Sequence, residues 1–363
     1  MKVLFIVGKY KDRYPGRYTD KKASPWIKNI PKKFDKFIIK DKEKVPSDVA
    51  MAIYLTKKYP KHTFDCIMGY KLKSATELNK YDVVFVIFDA VEVFICDPPY
   101  HTCKRKMMKY LDILKKTKAF VYPEPSFHDF IINKFKYYEV LQKNDIPVVD
   151  FFMTTPTKVV RDIKSFRDRL KRKNWKGIII KPSYSGYALG IKIFPKLQNT
   201  SNHCLLKVFK YLKLNKFPNV TVQRYEESFR NNYEIRTYWI NEKYYRSVAF
   251  KSYPEPDGLA ITKKELFKSE GGKLPDTLKK KLITMGKKVI SVLPDHDYKH
   301  PMLRIDFGCC LHGRKHDYFV NEVETYAANL LAKYNKKKKI IEAVAEASYE
   351  FAKTVKINNL KSK

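Results

Sequence analysis

Four charged residues lie inside two apolar segments near the carboxy-terminal end of the chain. Arg304 and Asp306 belong to LRIDF, and Glu322 and Glu324 belong to YFVNEVE. Because side chains alternate between the two faces of a strand, each pair lies on one face. The polar turn between the segments predicts that the strands pair and that the three carboxylates meet. Crowded carboxylates repel one another unless a divalent cation lies between them, and oxygen ligands favour Mg²⁺ or Mn²⁺ over zinc.

A surface hairpin is the alternative interpretation of this pattern, with solvated charges that pair with nearby lysines. Apolar residues flank the charges on both segments, namely Ile305, Phe307, Phe319 and Val323. They favour burial, and an unpaired charge is rarely tolerated in a buried strand. We therefore expect a metal site formed by the three carboxylates.

A second segment, IIIKPSYSGYALG, joins an apolar strand to a loop of small and polar residues. Lys181 ends the strand, and Ser183, Ser185 and Gly186 follow it. Such a loop permits a tight turn whose backbone N–H groups point at an anion, and the lysine supplies a positive charge for phosphate oxygens. An ordinary hairpin with an exposed lysine explains the same residues. Together with the acidic cluster, the segment predicts a site for a nucleotide and Mg²⁺, although no GxxxxGK[ST] P-loop pattern occurs.

These motifs and their order resemble the ATP-grasp superfamily, and they are most similar to those of D-alanine–D-alanine ligases. The resemblance covers residues 120 to 330 approximately. It implies an α/β (α+β) fold, with an amino-terminal parallel-sheet domain followed by a two-lobed ATP-grasp domain. It also implies ATP and Mg²⁺ as cofactors, with Mn²⁺ as the alternative metal.

The resemblance assigns nucleotide-binding roles to residues of the chain. Two lysines would bind the phosphates, the loop after the second lysine would close over the triphosphate, and the segment VTVQRYEES would present backbone groups to adenine. An acidic residue in YEIRTYWI would bind the ribose, with Glu227 as its competitor. The implied ATP-binding residues are Lys134, Lys181, Ser183, Ser185, Gly186, Tyr187, Gln223, Arg224, Tyr225 and Glu234.

Catalytic and metal-binding roles follow from the same resemblance. Arg304 would stabilise the anionic transition state, and Lys251 would approach the γ-phosphate. Asp306 and Glu322 match the metal ligands of the family. Glu324 stands where the family usually has Asn, so the number of bound metals stays open. The segment TYAANLL also departs from the proline-containing family sequence, so the substrate of the relatives is not carried over to this chain.

Hydrophobic periodicity predicts the elements that position these residues. Strands and helices alternate over the first 120 residues or so, which is typical of a parallel sheet covered by helices, and strand pairs follow from Gly177 onward. We predict domains at 1–122, 123–222, which carries the phosphate loop, and 223–363, which carries the metal site and a carboxy-terminal helix. The predicted helices include Ser47–Lys58, Lys104–Lys115, Pro275–Leu293 and Ile340–Lys353, and the predicted strands include Lys2–Val7, Val83–Phe88, Ile178–Lys181, Gly190–Phe194, Val220–Tyr225, Glu234–Ile240, Tyr244–Phe250, Met302–Phe307 and Asp317–Val323.

The composition bounds the partners and the compartment. The chain has a formal net charge of +36, which suits either a polyanionic partner or lysine-rich solvated surfaces, and the second interpretation is slightly favoured. Its 6 cysteines show no CxxC spacing, which argues against a disulfide framework and a zinc site. No apolar run is long enough to span a bilayer, so we expect an intracellular, cytoplasmic protein that does not bind membranes.

The function predicted from these motifs is an ATP- and Mg²⁺-dependent ligase that joins a carboxylate to an amine or a thiol through an acylphosphate. The expected partner is a small-molecule or peptide substrate, and an anionic substrate suits the charge of the chain. Two alternatives remain open. The first is an ATP-grasp kinase that phosphorylates a hydroxyl of a polyanion such as an inositol phosphate. The second is a non-catalytic module that binds a nucleotide or nucleic acid.

Overall fold

The structure is a computed structural model that describes most of the chain. The described residues are 1–7, 18–20, 27, 29–38, 44–86, 103–183, 190–215, 217–228, 234–250, 253–254, 261–262, 274–294, 298–309, 311–314, 317–325 and 339–361. Within these ranges, no helix is both long and apolar enough to cross a membrane.

The first sheet is parallel and belongs to the amino-terminal part of the chain. Its strands are β1 (Lys2–Val7), β2 (Thr63–Met68), β3 (Val83–Phe85) and β4 (Phe120–Tyr122). They pair in the order β2-β1-β3-β4. β1 is apolar and buried from its second residue onward, as expected for a central strand that is covered on both faces.

The second sheet is antiparallel. Its strands are β5 (Phe151–Thr154), β6 (Ile178–Pro182), β7 (Lys192–Phe194) and β8 (Val220–Arg224). They pair in the order β5-β8-β6-β7. One face of this sheet packs against helices. On the other face, Lys181 contacts Asn321 of the third sheet.

The third sheet is also antiparallel and carries the charged strands. Its strands are β9 (Glu234–Ile240), β10 (Lys243–Phe250), β11 (Met302–Cys309) and β12 (Tyr318–Glu324). They pair in the order β10-β9-β11-β12. The hairpin between β9 and β10 turns at two residues with positive φ, 48° and 61°, which is typical of the tight turns that join antiparallel strands.

Helices cover the sheets and connect them. They are α1 (Ser47–Lys58), α2 (Cys103–Lys116), α3 (Pro125–Ile132), α4 (Lys134–Lys143), α5 (Pro156–Arg161), α6 (Ile163–Arg172), α7 (Asn202–Leu214), α8 (Asp276–Val292) and α9 (Ile340–Lys361). Short ladders pair Tyr18–Asp20 with Lys44–Pro46 and Tyr253–Pro254 with Ile261–Thr262. Single turns of 3₁₀ helix occur at Lys32–Phe37, Gly69–Lys71, Ala75–Glu77, Leu197–Asn199 and Leu311–Gly313.

Helix α9 returns the end of the chain to the first sheet. Its residues Val344 and Val355 belong to the same buried cluster as Val3 and Phe5 of β1 and Val49 of α1. The same cluster contains Tyr238 and Met302 of the third sheet, so this helix packs against both parts of the fold. Apolar area anchors it there, because burying a side chain of this size stabilises the fold by about 1.5–3 kcal/mol.

Helix α8 packs against one face of the third sheet. Leu282 and Val289 of α8 are buried with Trp239, Leu303 and Ile305 of the sheet, so this face is apolar. The opposite face therefore carries the charged residues of the same strands.

The fold class predicted from the sequence is confirmed. Helix α1 has the predicted bounds, and the predicted pairings of β6 with β7, β9 with β10 and β11 with β12 all occur. Helix α9 runs beyond the predicted Lys353 to Lys361. Of the predicted strand Val83–Phe88, the part after residue 86 lies outside the described residues. The boundary expected at residue 222 falls inside β8, and the three-domain division stays a prediction.

Candidate active site

The register of the third sheet brings the charged residues into two rows that cross the strands. One row contains Arg236, Asp306 and Glu322, and the other contains Tyr238, Arg304 and Glu324. Neighbouring rows lie two residues apart, so all six side chains share one face. The pairing that the sequence predicted for the two charged strands is therefore confirmed.

Arg304 lies at the centre of this face. Its Nε and Nη2 donate to Oδ1 and Oδ2 of Asp306 at 2.8 and 2.7 Å. Nη1 lies 2.7 Å from Oε2 of Glu324, and Nη2 lies 3.7 Å from Oε2 of Glu322. The arginine and Asp306 are buried. A buried guanidinium is stable here because a carboxylate accepts both of its parallel N–H groups.

A second buried arginine, Arg236, was not predicted from the sequence. Its Nε donates to Oε1 of Glu234 at 2.7 Å and lies 3.5 Å from Oδ2 of Asp306. The sequence held a signal, since EIR in the apolar strand EIRTYWI has the same alternation as RID in LRIDF. This pairing holds Glu234, the predicted ribose ligand, on the face of the sheet. Its competitor Glu227 is exposed.

Two lysines reach this face from other parts of the fold. Lys134 is the first residue of α4, and its ammonium contacts the Glu322 carboxylate. Lys181, on β6, lies 3.2 Å from the hydroxyl of Tyr138 and 3.3 Å from Oδ1 of Asn321. Tyr138 and Asn321 were not predicted from the sequence. Tyr138 lies one helical turn after Lys134, which puts both side chains on one side of α4.

Asn321 connects the two parts of the site. While its Oδ1 accepts from Lys181, its Nδ2 donates to Oε2 of Glu234 at 3.1 Å. Its backbone oxygen accepts from the Tyr138 hydroxyl at 2.5 Å. The second and third sheets therefore meet through a network of polar side chains rather than through apolar packing alone.

Crowding of charges shifts the pKa values of these groups. Burial and the neighbouring Lys134 ammonium lower the pKa of Lys181 to about 8, against the effect of Glu322 and Glu234. Burial also lowers the pKa of Lys134, but the Glu322 carboxylate outweighs it and leaves that pKa raised. Burial raises the pKa of Glu322, but Lys134 and Arg304 outweigh it and leave that pKa below its usual range.

Glu324 differs from Glu322 in its electrostatic environment. Burial raises the pKa of Glu324 to about 8; Arg304 opposes this change, and Glu322 and Asp306 add to it. The departure from Asn at this position thus adds a carboxyl group whose nearest charged neighbour is the arginine.

The segment predicted to contact adenine lies at the end of β8. The backbone N–H groups of Arg224 and Tyr225 donate to the carbonyls of Asp150 and Gly177, both at 2.9 Å. The Arg224 side chain pairs with Glu226, with Nε 2.7 Å from Oε1. Because those N–H groups are already bonded, a contact from this segment to a base would use its carbonyls or the side chain of Gln223.

Four predicted site residues, Ser185, Gly186, Tyr187 and Lys251, lie outside the described residues.

The remaining donors fit a nucleotide. Gln223 and Ser183 are buried, and their Nε2 and Oγ atoms have no hydrogen-bond partner in the described part of the chain. Gln223 shares a face of the second sheet with Lys181, since strands β8 and β6 pair with Thr221 opposite Lys181. Buried polar atoms without partners are costly, and a polyphosphate ester with a polar base would satisfy them.

The acidic residues fit a divalent cation in part. Asp306 and Glu322 are cross-strand partners, and Mg²⁺ is commonly held by one or two carboxylates together with substrate phosphates. Among the described residues, no group of three or more His, Cys, Asp or Glu side chains forms a metal site. Basic side chains lie against each of the three carboxyl groups. The assignment of these carboxylates as metal ligands stays a prediction.

Comparison with known proteins identifies the fold. No protein-family model matches the chain, and no curated protein matches it in sequence. Among solved structures, D-cycloserine synthetase DcsG has a TM-score of 0.61 at 13% identity, over 97% of this chain and 99% of that one. D-alanine–D-alanine ligase from Bacillus anthracis has a TM-score of 0.59 at 14% identity, over 99% of both chains. The ATP-grasp ligase PsnB has a TM-score of 0.51 at 11% identity, over 95% and 98%.

The chain therefore has the fold of D-alanine–D-alanine ligases and other ATP-grasp ligases along nearly its whole length. This result confirms the resemblance that the motifs suggested.

Proposed function

We propose that this protein is an ATP- and Mg²⁺-dependent ligase that activates a carboxylate as an acylphosphate and joins it to an amine or a thiol. One observation carries the proposal: the buried guanidinium of Arg304, held by carboxylates, lies on the same face as the carboxylate that Lys134 contacts. This arrangement combines cations for a triphosphate with a fixed positive charge for a reacting centre.

Binding of the nucleotide would use the two lysines. Lys134 and Lys181 would neutralise phosphate oxygens, while Gln223 and Glu234 would bind the base and the ribose. Mg²⁺, when bound by Asp306 and Glu322, would offset the negative charge of the phosphates and polarise them. Binding of Mg²⁺ by Glu322 would require the Lys134 ammonium to move from this carboxylate to a phosphate oxygen. Mg²⁺ would then replace the ammonium as the positive charge beside Glu322.

The chemical step requires positioning and charge stabilisation. An oxygen of the substrate carboxylate forms a bond to the γ-phosphorus as the bond to ADP breaks. The amine or thiol then attacks the carbonyl carbon, inorganic phosphate leaves, and a proton passes to the solvent. Arg304 would stabilise negative charge on the carbonyl oxygen during this attack, and Asp306 holds its guanidinium in one orientation.

The experiment is a screen for ADP release with amino acids, acidic peptides and inositol phosphates, with and without hydroxylamine. A ligase forms a hydroxamate from the activated acid and transfers oxygen-18 from the acid to inorganic phosphate. A kinase leaves a phosphorylated alcohol and no free phosphate. Asp306→Asn is the matched inactive variant, and equal ATP turnover by the wild type and this variant under every condition would end the enzymatic proposal.

A further inference from the structure

An open cavity of about 470 Å³ lies in the second sheet region, between β5 and the helices α5 and α6. Phe152 of β5 and Val159 of α5 form apolar walls. Lys158 and Arg161 of α5 and Arg169 of α6 are among its basic lining residues. None of these residues belongs to the candidate active site.

The cavity lies on the opposite face of the sheet from that site. Phe152 packs with Ile178, Ile180 and Val222 in the cluster beneath the helices. Alternation therefore turns Lys181 and Gln223 to the other face. The sheet itself separates the two sites, so a ligand in the cavity is not the nucleotide of the proposed ligase.

Positive charge dominates the lining. Five lysines and arginines face one acidic residue, Asp162. The Asp162 carboxylate caps α6, where it accepts from the backbone N–H of Ser165 at 2.9 Å. Lys173 pairs with Asp150, with Nζ 3.1 Å from Oδ1. Within the described ranges, the side chains of the other four, Lys158, Arg161, Arg169 and Arg172, form no ion pair.

The surrounding sequence strengthens this imbalance. Residues 151–224 contain 17 Lys and Arg residues, 2 Asp residues and no Glu. The cavity cations Lys158, Arg161, Arg169 and Arg172 are themselves exposed, and α6 places two of them at the cavity. Asp162, Ser165, Arg169 and Arg172 line it at helical spacing, whereas Lys164 and Lys171 of the same helix do not. The cavity is therefore a defined concave site within a basic lobe.

One arginine is already oriented for binding. The guanidinium carbon of Arg169 lies 3.8 Å from the centroid of the Phe152 ring, and such stacking restricts the side chain and leaves its N–H edge available. The fork of an arginine matches two oxygens of a phosphate group. In the part of the chain that the structure describes, the four cavity cations have no carboxylate partner, and together they exceed the charge of a single phosphate. The volume lies in the range of small-molecule sites.

We propose that this cavity binds a small molecule that carries two or more phosphate groups, at a site separate from the ligase centre. The phosphates pair with Arg161, Arg169, Arg172 and Lys158, and the remainder of the ligand contacts Val159. This proposal does not depend on the proposed ligase activity.

The test is calorimetric titration of the full chain with inorganic phosphate, pyrophosphate and inositol hexakisphosphate in about 0.15 M salt, where long-range attraction is screened. Pyrophosphate and inositol hexakisphosphate should bind saturably, and inorganic phosphate should bind at least about tenfold more weakly, which corresponds to about 1.4 kcal/mol. Arg169→Gln/Arg172→Gln should weaken the binding of both polyphosphates by about tenfold or more, because it removes two guanidinium groups that form charge-assisted hydrogen bonds with phosphate oxygens.

Three further variants test whether the polyphosphates bind specifically in the cavity. They exclude diffuse attraction to the surface, misfolding and binding at the other face of the sheet as explanations. Lys164→Gln/Lys171→Gln removes the same charge from the same helix outside the cavity and should change the affinity less than about twofold. Arg161→Gln/Arg172→Gln keeps the Arg169–Phe152 stack and should still weaken binding, which guards against misfolding. Lys181→Met removes a cation from the other face of the sheet. When Arg169→Gln/Arg172→Gln is added to this variant, the affinity for the polyphosphates should still fall, because the binding that is lost belongs to the cavity.

Two results would overturn the proposal. One is equal weakening by the cavity and the control double variants, which means diffuse attraction to a basic surface. The other is absence of saturable binding of both polyphosphates by the wild type.

Discussion

Nη1 of Arg304 lies 2.7 Å from Oε2 of Glu324, and this ion pair distinguishes Glu324 from the neighbouring acidic residue Glu322, which contacts Lys134. The two glutamates are two residues apart on one strand face. Arg304 lies near both, since its Nη2 is 3.7 Å from Oε2 of Glu322, but the nearest basic group is Arg304 for Glu324 and Lys134 for Glu322. Their substitution should therefore have different effects.

Replacement of the two glutamates should separate metal binding from positioning. If Glu322 binds the metal as proposed, Glu322→Gln should raise the Mg²⁺ concentration for half-maximal activity by about tenfold or more, since it removes a carboxylate ligand. Glu324→Gln should leave that concentration within about threefold of the wild type and lower the maximal rate, because Arg304 loses a partner that orients it. Measurement of ADP release against Mg²⁺ concentration checks both. A tenfold rise for Glu324→Gln would instead support the three-carboxylate site that the sequence suggested.

The Lys134–Glu322 pair should stabilise the free protein. Lys134→Met leaves the Glu322 carboxylate without its main partner in a partly buried position, and we expect the free energy of unfolding to fall by about 2 kcal/mol. Lys134→Met/Glu322→Gln should recover most of this loss. Urea denaturation measures both effects.

The matched control is the exposed pair Lys116–Asp112 on α2, whose Nζ and Oδ2 lie 2.7 Å apart. Lys116→Met should cost less than about 0.5 kcal/mol, because exposed pairs contribute little. Equal losses at the buried and exposed pairs would contradict the role given to burial.

Nucleotide binding should depend on pH through Lys181. Its pKa in the free protein is lowered to about 8, and a bound polyphosphate favours the charged form. Below pH 8 the lysine is already protonated, so affinity for ATP should change little with pH. Above pH 8 binding must take up a proton, so affinity should fall, approaching about tenfold per pH unit.

Titration calorimetry in buffers with different ionisation enthalpies should detect this proton uptake at pH 9 and not at pH 7. Glu324 also has a pKa of about 8, so Lys181→Arg, which stays charged, should remove the uptake that is due to the lysine and leave at most the part that is due to Glu324. Lys176→Arg at an exposed position of the same lobe should leave the uptake unchanged. Undiminished proton uptake in Lys181→Arg would contradict the role given to Lys181.

Close packing of α8 on the third sheet should depend on Gly286. A Cβ atom at this position would overlap Cζ2 of the buried Trp239, so Gly286→Ala must displace the helix or the indole ring. We expect a loss of about 1–3 kcal/mol in the free energy of unfolding, together with a change in tryptophan fluorescence. The exposed Thr284→Ala in the same helix is the control and should not destabilise the fold.

Much of the sheet architecture follows from local sequence patterns. Apolar runs and turn residues predicted α1, the hairpin β9–β10 and the pairing of β11 with β12. Period-two alternation alone placed Arg304 on one face with Asp306, and Glu322 on one face with Glu324. These features are local, because side-chain direction in a strand depends on position along the chain alone.

Partners across the fold could not be predicted in the same way. Arg236 reaches Asp306 only because β9 pairs with β11 in one register, and Asn321 contacts Lys181 only because two sheets face each other. Both residues are visible in the sequence, but their partners in space cannot be read from it. The packing of α9 on the first sheet also joins residues from opposite ends of the chain.

The sequence by itself determined which residues carry charge within apolar strands, and hence the resemblance to ATP-grasp ligases from which the fold was predicted. Only the tertiary structure decided that Lys134 pairs with Glu322 while Arg304 pairs with Glu324, and that a basic cavity lies behind the second sheet. The physical reason is range: alternation acts over a few residues, whereas an ion pair depends on the register and packing that bring distant segments within a few ångströms.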